Sequence, residues 1–209
     1  MNNDQTVFIV DDDDAIRDSL VMLMQSDNIK SLGFESAESF LKHFKPEMPG
    51  CLLLDVRMPG MSGLDLQKQL KEQGISLPIV VMSGHADVPT AVDMMRNGAL
   101  DFYTKPFNHD ALLASVKACL ERSVVINEQR EIKKDVKERI NKLTKREKEV
   151  IAGVLAGKAS KVIAYELGIS VKTVDVHRSR IMDKMNVRSL AELVKTVMLV
   201  DENELLGSV

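Results

Sequence analysis

The sequence has few cysteines, no long apolar run and no phosphate-binding glycine loop, and each absence argues against a class of protein. Cys51 and Cys119 are the only cysteines, without metal-like spacing, so we expect buried, reduced thiols. No apolar run approaches the ~20 residues of a membrane helix. The start MNNDQT lacks the basic and apolar regions of a signal peptide, so we expect a cytoplasmic protein with no membrane partner. The chain has no G-x-x-x-x-G-K-[ST] loop, which argues against an ATP-driven activator.

Charge is distributed unevenly along the chain. Residues 1–120 contain 17 Asp/Glu and 10 Lys/Arg, whereas residues 121–209 contain 14 and 18. An acidic first part and a basic second part suggest two modules with different partners. The basic excess alone is weak evidence for nucleic acid.

Short apolar runs alternate with amphipathic stretches over residues 6–105. The runs are TVFIV, KSLGF, CLLLD, LPIVVMS and LDFYTK. Their continuous apolar character is typical of strands covered on both faces of a parallel sheet. The pattern predicts an α/β fold with a doubly wound five-stranded parallel sheet, closed by a helix from about Asp110. Asp14 and Ser36 are the expected helix N-caps, with Asp13 a solvated turn residue, and Gly74 and Gly98 the expected helix ends.

The carboxyl ends of the predicted strands carry one polar set: Asp11, Asp12, Asp55, Ser83 and Lys105. Each alone has an ordinary structural explanation, as a cap, a loop hydroxyl or a solvated charge. Residues that bind ligands or carry out chemistry lie at this edge in such sheets. Three carboxylates at one place suit the binding of Mg²⁺. A carboxylate beside Mg²⁺ can attack a phosphoryl donor, while a hydroxyl and an ammonium suit the transferred group. We therefore predict Asp55 as acceptor, Asp11 and Asp12 as metal ligands or their supports, and Ser83 and Lys105 as phosphoryl contacts.

Residues 121–142 contain no Gly or Pro and alternate in charge, which predicts a helical linker. Its apolar positions, continued to Leu143, form a narrow stripe of Val125, Ile132, Val136, Ile140 and Leu143. A single solvated helix that docks this stripe on a neighbouring domain is at least as consistent with the short repeat as a paired coiled coil.

The sequence pattern of residues 143–209 predicts a small all-α domain. Helices are expected to end at Gly157 and Gly168 and to begin after Ser170 and Ser189. A short helix, the tight connection LGIS and a longer helix over 171–185 form a helix-turn-helix pattern.

The first part resembles the receiver domain of two-component response regulators. The resemblance lies in VDDDDAIRDSL, CLLLDVRMPGMSGLDL, IVVMSGHADVPTAV and GALDFYTKPF, and covers nearly all of residues 5–120. It implies a flavodoxin-like receiver over residues 1–120, in which a sensor histidine kinase phosphorylates Asp55 while Mg²⁺ is bound by Asp11 or Asp12, Asp55 and the backbone carbonyl of Arg57. Ser83 and Phe102 match the positions that rearrange on phosphorylation; His85 is a loop residue. Phe102 has no hydroxyl, so the usual polar contact of this switch aromatic is not expected.

The second part resembles the LuxR-type DNA-binding domain, through LTKRE, IAYELGIS and KTVDVHRSRIMDKM in order. Together the two parts resemble the FixJ/NarL class of transcriptional regulators, with Ala159 and Ser160 where many members have Ser and Asn. We expect Lys161, Lys172, Arg178 and Arg180 to contact the phosphates of promoter DNA, and Asp175, Val176 and Ser179 to face base edges. Thr173 lies on the same surface, and His177 is either a structural anchor or a phosphate donor.

The resemblance also implies a homodimer on activation, through a surface that includes residues 87–98 and 100–107, and RNA polymerase as a partner. We do not expect an enzyme beyond self-phosphorylation and self-dephosphorylation. An aspartyl-phosphate phosphatase is disfavoured because Arg57 stands where those enzymes have a second Asp, and the helical C-terminal part is too short for an esterase. A protein-binding module with a vestigial terminal domain remains an alternative.

Overall fold

The computed structural model describes residues 5–84 and 88–200. They form two compact units that divide between Glu128 and Gln129. Within the described residues, no helix combines the length and apolar character needed to cross a bilayer.

The N-terminal unit alternates strands with helices. Its strands are β1 (Thr6–Val10), β2 (Ser31–Phe34), β3 (Gly50–Asp55), β4 (Ile79–Ser83) and β5 (Asp101–Thr104). Its helices are α1 (Asp14–Ser26), α2 (Ala37–His43), α3 (Gly63–Glu72), α4 (Val88–Arg96) and the start of α5 (His109–Asn141).

The five strands form one parallel sheet in the order β2-β1-β3-β4-β5. Both of its faces are covered. In β1, Phe8 and Val10 face a core that includes residues of α2, α3 and α4, whereas Val7 and Ile9 face a core that includes residues of α1 and α5. This two-sided burial explains why the strands are continuously apolar, and it confirms the predicted fold class.

The start of α1 differs from the sequence prediction. The N-cap is Asp13, whose Oδ1 accepts hydrogen bonds from the amides of Ala15 and Ile16. Asp14 is the first helical residue and pairs with Arg17. The prediction that Asp14 caps the helix and that Asp13 is only a solvated turn residue was wrong by one position. Capping requires an extended backbone at that residue, which Asp13 has.

Helix α5 is longer than the closing helix that the sequence suggested. It begins at His109 and continues without a break to Asn141, so the predicted linker is helical but is not a separate element. The apolar stripe has two environments. Val125 and Ile132 are each 52% exposed, whereas Val136, Ile140 and Leu143 are buried in the core of the C-terminal unit.

A small cluster of hydrogen-bonded polar side chains joins β5 to α5. The hydroxyl of Tyr103 lies 3.0 Å from Oδ2 of Asp101 and 2.7 Å from Oγ of Ser115. The hydroxyl of Ser115 donates to the same carboxylate oxygen at 2.6 Å. Burial alone would raise the pKa of Asp101, but hydrogen bonds from Ser115, the Phe102 amide and Tyr103 outweigh it and lower the pKa.

The C-terminal unit packs four further helices: α6 (Lys145–Leu155), α7 (Ser160–Leu167), α8 (Val171–Met185) and α9 (Leu190–Val197). Ser170 and Ser189 cap α8 and α9 as expected. Gly168 ends α7 with φ +65°, a left-handed conformation that glycine adopts at little cost. A capping box of Thr144 and Glu147 begins α6. Tyr165, on α7, is almost fully exposed.

Candidate phosphoacceptor site and DNA-binding surface

Three of the predicted residues meet at the carboxyl edge of the sheet. The Nζ atom of Lys105, just after β5, lies 2.6 Å from Oδ2 of Asp11 and 2.6 Å from Oδ1 of Asp55. Asp11 is fully buried and Asp55 is 4% exposed. One ammonium therefore bridges two buried carboxylates that lie at the ends of β1 and β3.

Backbone groups fix the remaining carboxylate oxygens. The amide of Asp13 donates to Oδ1 of Asp11 at 3.1 Å, and the amide of Arg57 donates to Oδ2 of Asp55 at 2.7 Å. Both donors lie two residues after their acceptor, in the turn that follows the strand. The turn that follows each strand therefore orients its carboxylate, independently of the Lys105 ammonium.

The pKa shifts follow from burial and from these contacts. Burial raises the pKa of Asp55 and the nearby Asp11 charge adds to this, while the hydrogen bonds from Lys105 and Arg57 offset it in part. Burial alone would lower the pKa of Lys105. The hydrogen bonds to Asp11 and Asp55 and their negative charges outweigh it, so the pKa of Lys105 is raised. Lys105 is thus held as a cation.

Gly63 lets α3 approach the acceptor strand. A Cβ atom at this position would lie 2.2 Å from the carbonyl oxygen of Asp55, which no real side chain tolerates. The amide of Gly63 donates to the carbonyl of Val56 at 3.0 Å. The start of α3 therefore packs directly on the backbone that carries Asp55, a contact that sequence reasoning did not identify.

The other predicted residues of this site lie in different environments, and Phe102 lies inside β5, opposite Val81, rather than at the carboxyl edge. Ser83 ends β4 and is buried, and its carbonyl accepts the Lys105 amide at 2.7 Å. Phe102 is half-buried against the core on the α2, α3 and α4 side. Asp12 and Arg57 are exposed. His85 lies outside the described residues.

Arg17 was missed by sequence reasoning. Its Nη1 donates to the carbonyl of Asp11 at 2.8 Å, and its Nη2 contacts Asp14. Arg17 follows Asp14 by three residues, a spacing that places side chains on one face of a helix. The spacing could have predicted the ion pair between Arg17 and Asp14. The hydrogen bond from Arg17 to Asp11 depends instead on how α1 packs beside β1.

The donor chemistry of this edge fits Mg²⁺. Two buried carboxylates face one ammonium, so Lys105 alone does not balance their charge. Hard carboxylate and carbonyl oxygens are the ligands that Mg²⁺ takes. Within residues 5–84 and 88–200, no three Asp, Glu, His or Cys side chains are already grouped as a metal site. Asp11 and Asp55 instead each have one carboxylate oxygen paired with the ammonium of Lys105.

In the C-terminal unit, α8 presents one apolar face and one polar face. Val174, Ile181 and Met185 are buried, as the spacing predicted. The predicted DNA-facing residues are exposed or half-buried, the exposed ones being Lys161, Lys172, Asp175, Val176, Ser179 and Arg180, and the half-buried ones Thr173, His177 and Arg178. The Nδ1 atom of His177 is buried without a hydrogen-bond partner among the described residues.

Ser160 connects the two helices of this motif and was not predicted as a functional residue. Its hydroxyl donates to Oδ1 of Asp175 at 3.1 Å and accepts from Nη1 of Arg178 at 2.8 Å. Thr173 is held at the start of α8, where its amide donates to the hydroxyl of Ser170 at 3.0 Å. The surface over α7 and the first half of α8 is therefore partly ordered by its own hydrogen bonds.

Sequence profiles of two families match the chain. The response regulator receiver domain matches residues 7–117, and the LuxR family of bacterial regulatory proteins matches residues 141–197.

Relatives with both parts cover most of the chain. The transcriptional regulatory protein FixJ of Azorhizobium caulinodans is 45% identical over 92% of this chain and 92% of its own. The response regulator protein TodT of Pseudomonas putida is 44% identical over 90% of this chain and 83% of its own. The solved structure of the response regulator StyR superposes with a TM-score of 0.77 at 43% identity, covering 93% of this chain and 98% of StyR.

Proposed function

The chain belongs to the two-component response regulators that join a receiver domain to a LuxR-type DNA-binding domain, and from this we propose that Asp55 is the phosphoacceptor through which a sensor histidine kinase controls DNA binding by α8. As a member of this family it is a phosphorylation-controlled transcriptional regulator. The observation that carries the residue assignment is the Lys105 ammonium shared by Asp55 and Asp11 at 2.6 Å.

The chemistry follows from how Asp55 is held. A carboxylate oxygen of Asp55 attacks the phosphorus of the kinase phosphohistidine, the P–N bond breaks and the imidazole leaves. Lys105 then pairs with an oxygen of the bound phosphoryl group, and the Ser83 hydroxyl is the further donor we assign to it. The amide of Arg57 keeps the second carboxylate oxygen in place.

Receiver domains generally use Mg²⁺ at the phosphorylation site. We assign Asp11, Asp12, Asp55 and the carbonyl of Arg57 as the groups that hold it. When bound, the cation offsets the negative charge that gathers on the carboxylates and the phosphoryl oxygens. We assign no enzymatic activity beyond self-phosphorylation and self-dephosphorylation.

We assign the activation step to dimerisation through the receiver. Val88, Val92 and Met95 lie exposed on α4, and apolar side chains at this spacing on one helix suit an interface that buries them. Phosphorylation is expected to move Ser83 and Phe102 and to favour the dimer. The dimer then binds paired half-sites in promoter DNA, where RNA polymerase is the proposed downstream partner.

The DNA assignment rests on the exposed polar face of α8 and on the LuxR-type family match. Lys161, Lys172, Arg178 and Arg180 are the proposed phosphate contacts, and Asp175, Val176 and Ser179 the proposed base-edge contacts, with Thr173 beside them. His177 is proposed either as a structural anchor or as a phosphate donor, and its Nδ1 is buried without a hydrogen-bond partner among the described residues. In the second role, the other ring nitrogen would donate.

The test combines sizing and DNA binding of the full chain with and without beryllofluoride and Mg²⁺. We expect a larger species with the phosphoryl mimic, and tighter, salt-dependent binding to promoter DNA. An unchanged monomer with unchanged DNA affinity would reject the activation step. Absence of salt-dependent DNA binding in both states would favour a protein-binding module instead.

A further inference from the structure

We propose that Ser160 is a specificity-determining positioning residue: it holds Asp175 and Arg178 together so that they act on DNA as one group. This inference rests on the proposed function, because it concerns how α8 distinguishes one DNA sequence from another. Ser160 itself lies on α7, outside the helix assigned to base contacts.

The hydroxyl of Ser160 acts both as a hydrogen-bond donor and as a hydrogen-bond acceptor. A serine hydroxyl has one proton to donate and lone pairs to accept with. Here the proton goes to Oδ1 of Asp175 at 3.1 Å, and a lone pair accepts from Nη1 of Arg178 at 2.8 Å. The two bonds therefore do not compete, and an acidic and a basic side chain are joined through one neutral atom.

The same hydroxyl is not needed by its own helix. The N-cap of α7 is Ala159, which makes no side-chain hydrogen bond, and Ser160 is the first helical residue. The side chain of Ser160 instead crosses to α8. Because Ser160 follows the N-cap position, its hydroxyl is not used to cap α7. The Ser160 hydroxyl forms hydrogen bonds with Asp175 and Arg178 instead.

The consequence for DNA binding comes from the charge of Asp175. An exposed carboxylate beside DNA is repelled by phosphates, but it can accept a hydrogen bond from the amino group of cytosine. It therefore favours some sequences and penalises others, which is the basis of discrimination. Left free, Asp175 rotates away from the base edge, and Arg178 approaches its phosphate from no fixed direction. Held by Ser160, both side chains keep one direction, so Asp175 accepts from one base while Arg178 contacts one phosphate.

The experiment selects binding sequences from a randomised duplex library with the full chain, activated by beryllofluoride and Mg²⁺. Wild type and Ser160→Thr, which keeps the hydroxyl, should enrich the same motif. Ser160→Ala should lose preference at one base pair in each half-site. Its ratio of specific to non-specific affinity should fall by about tenfold or more, the worth of one hydrogen bond to a charged group. The salt dependence should stay unchanged, because Arg178 still contacts one phosphate in this variant.

Two further variants separate positioning from a purely structural role. Ser189→Ala removes the α9 cap and destabilises the same unit without touching α8, so it should keep the wild-type motif. Adding Ser160→Ala to Asp175→Ala should cause no further loss at that base pair, because Ser160 acts there through Asp175.

An unchanged motif in Ser160→Ala, with salt-dependent DNA binding intact, overturns the inference and leaves the proposed function standing. Equal weakening on every sequence, also seen in Ser189→Ala, overturns it in favour of stability alone. Failure of the activated wild type to bind any DNA overturns both.

Discussion

The ammonium of Lys105 lies 2.6 Å from Oδ1 of Asp55, and this ion pair joins the end of β5 to the end of β3. The same ammonium contacts Asp11 at the end of β1. Two acidic strand ends that would otherwise repel each other are held by one cation. A phosphoryl group on Asp55 would bring its negative charge beside an ammonium that is already in place.

Replacement of Asp55 by asparagine should abolish phosphorylation. The amide keeps the size of the side chain but is a far weaker nucleophile than the carboxylate. Incubation with labelled acetyl phosphate and Mg²⁺ should label wild type and leave Asp55→Asn unlabelled. Asp18→Asn, at an exposed position on α1, is the control and should label normally. Equal labelling of Asp55→Asn and wild type would place the acceptor elsewhere.

Replacement of Lys105 by methionine should destabilise the N-terminal unit. It leaves the buried carboxylates of Asp11 and Asp55 without their shared cation, which costs about 3–5 kcal/mol. Mg²⁺ should restore more stability to this variant than to wild type, as measured by thermal unfolding with and without the metal.

Lys117→Gln is the matched control for that variant. Lys117 pairs with Asp27 where both side chains are about one-third exposed, so its loss should cost about 1 kcal/mol or less. Equal costs for the two lysine variants would show that the Lys105 bridge contributes no more than a surface pair.

Replacement of Gly63 by alanine should impair the acceptor site through the backbone. The new Cβ would meet the Asp55 carbonyl oxygen at 2.2 Å, and relief of such overpacking costs about 1–3 kcal/mol. Because the displaced atoms belong to Asp55 or to the start of α3, phosphorylation by acetyl phosphate should slow as well. Gly74→Ala has open space around the new Cβ and strains only its own backbone, so it should lose stability but keep its labelling rate. A Gly63→Ala protein with normal labelling would contradict this.

Stability of the C-terminal unit should fall in acid because of Glu147. Burial alone would raise the pKa of this carboxyl, but hydrogen bonds from Lys184 and from Thr144 outweigh it and lower the pKa from 4.5. A group whose pKa is lower when folded stabilises the fold above its unfolded pKa, and the contribution is lost as the pH falls through the folded pKa. The protection factors of the α6 and α8 amides, which compare exchange with the intrinsic rate at each pH, should therefore fall below about pH 4.5.

Glu147→Gln should weaken this acid response and cost on the order of 1–2 kcal/mol at pH 7, since Lys184 loses its charged partner. Glu166→Gln, which disrupts the surface pair with Lys158, should keep the wild-type acid response. Identical pH profiles for Glu147→Gln and wild type would rule out this carboxyl as the cause.

The sequence predicted the sheet and the strand-end residues because both follow from simple periodicity. Buried parallel strands are continuously apolar, and their carboxyl ends share one edge, so Asp11, Asp55 and Lys105 were expected there. The cap of α1 was missed by one residue, since adjacent aspartates have the same chemistry and the backbone conformation selects between them.

Other contacts depend on packing that no local pattern encodes. The approach of Gly63 to Asp55 and the bridge from Ser160 to Asp175 and Arg178 join separate elements. A helix pattern predicted α7 and α8 but not which side chains face each other across the turn. The length of α5 was missed for a related reason, because no Gly or Pro marks the point where it leaves the sheet.

The two tyrosines make the chain easy to observe in solution. There is no tryptophan, and Tyr103 and Tyr165 are the only tyrosines, one in each unit. Tyr103 is hydrogen-bonded beside Asp101, whereas Tyr165 is 89% exposed. A Tyr165→Phe protein would therefore carry a single tyrosine, in the receiver, whose ultraviolet absorbance and fluorescence could follow that unit without an added label.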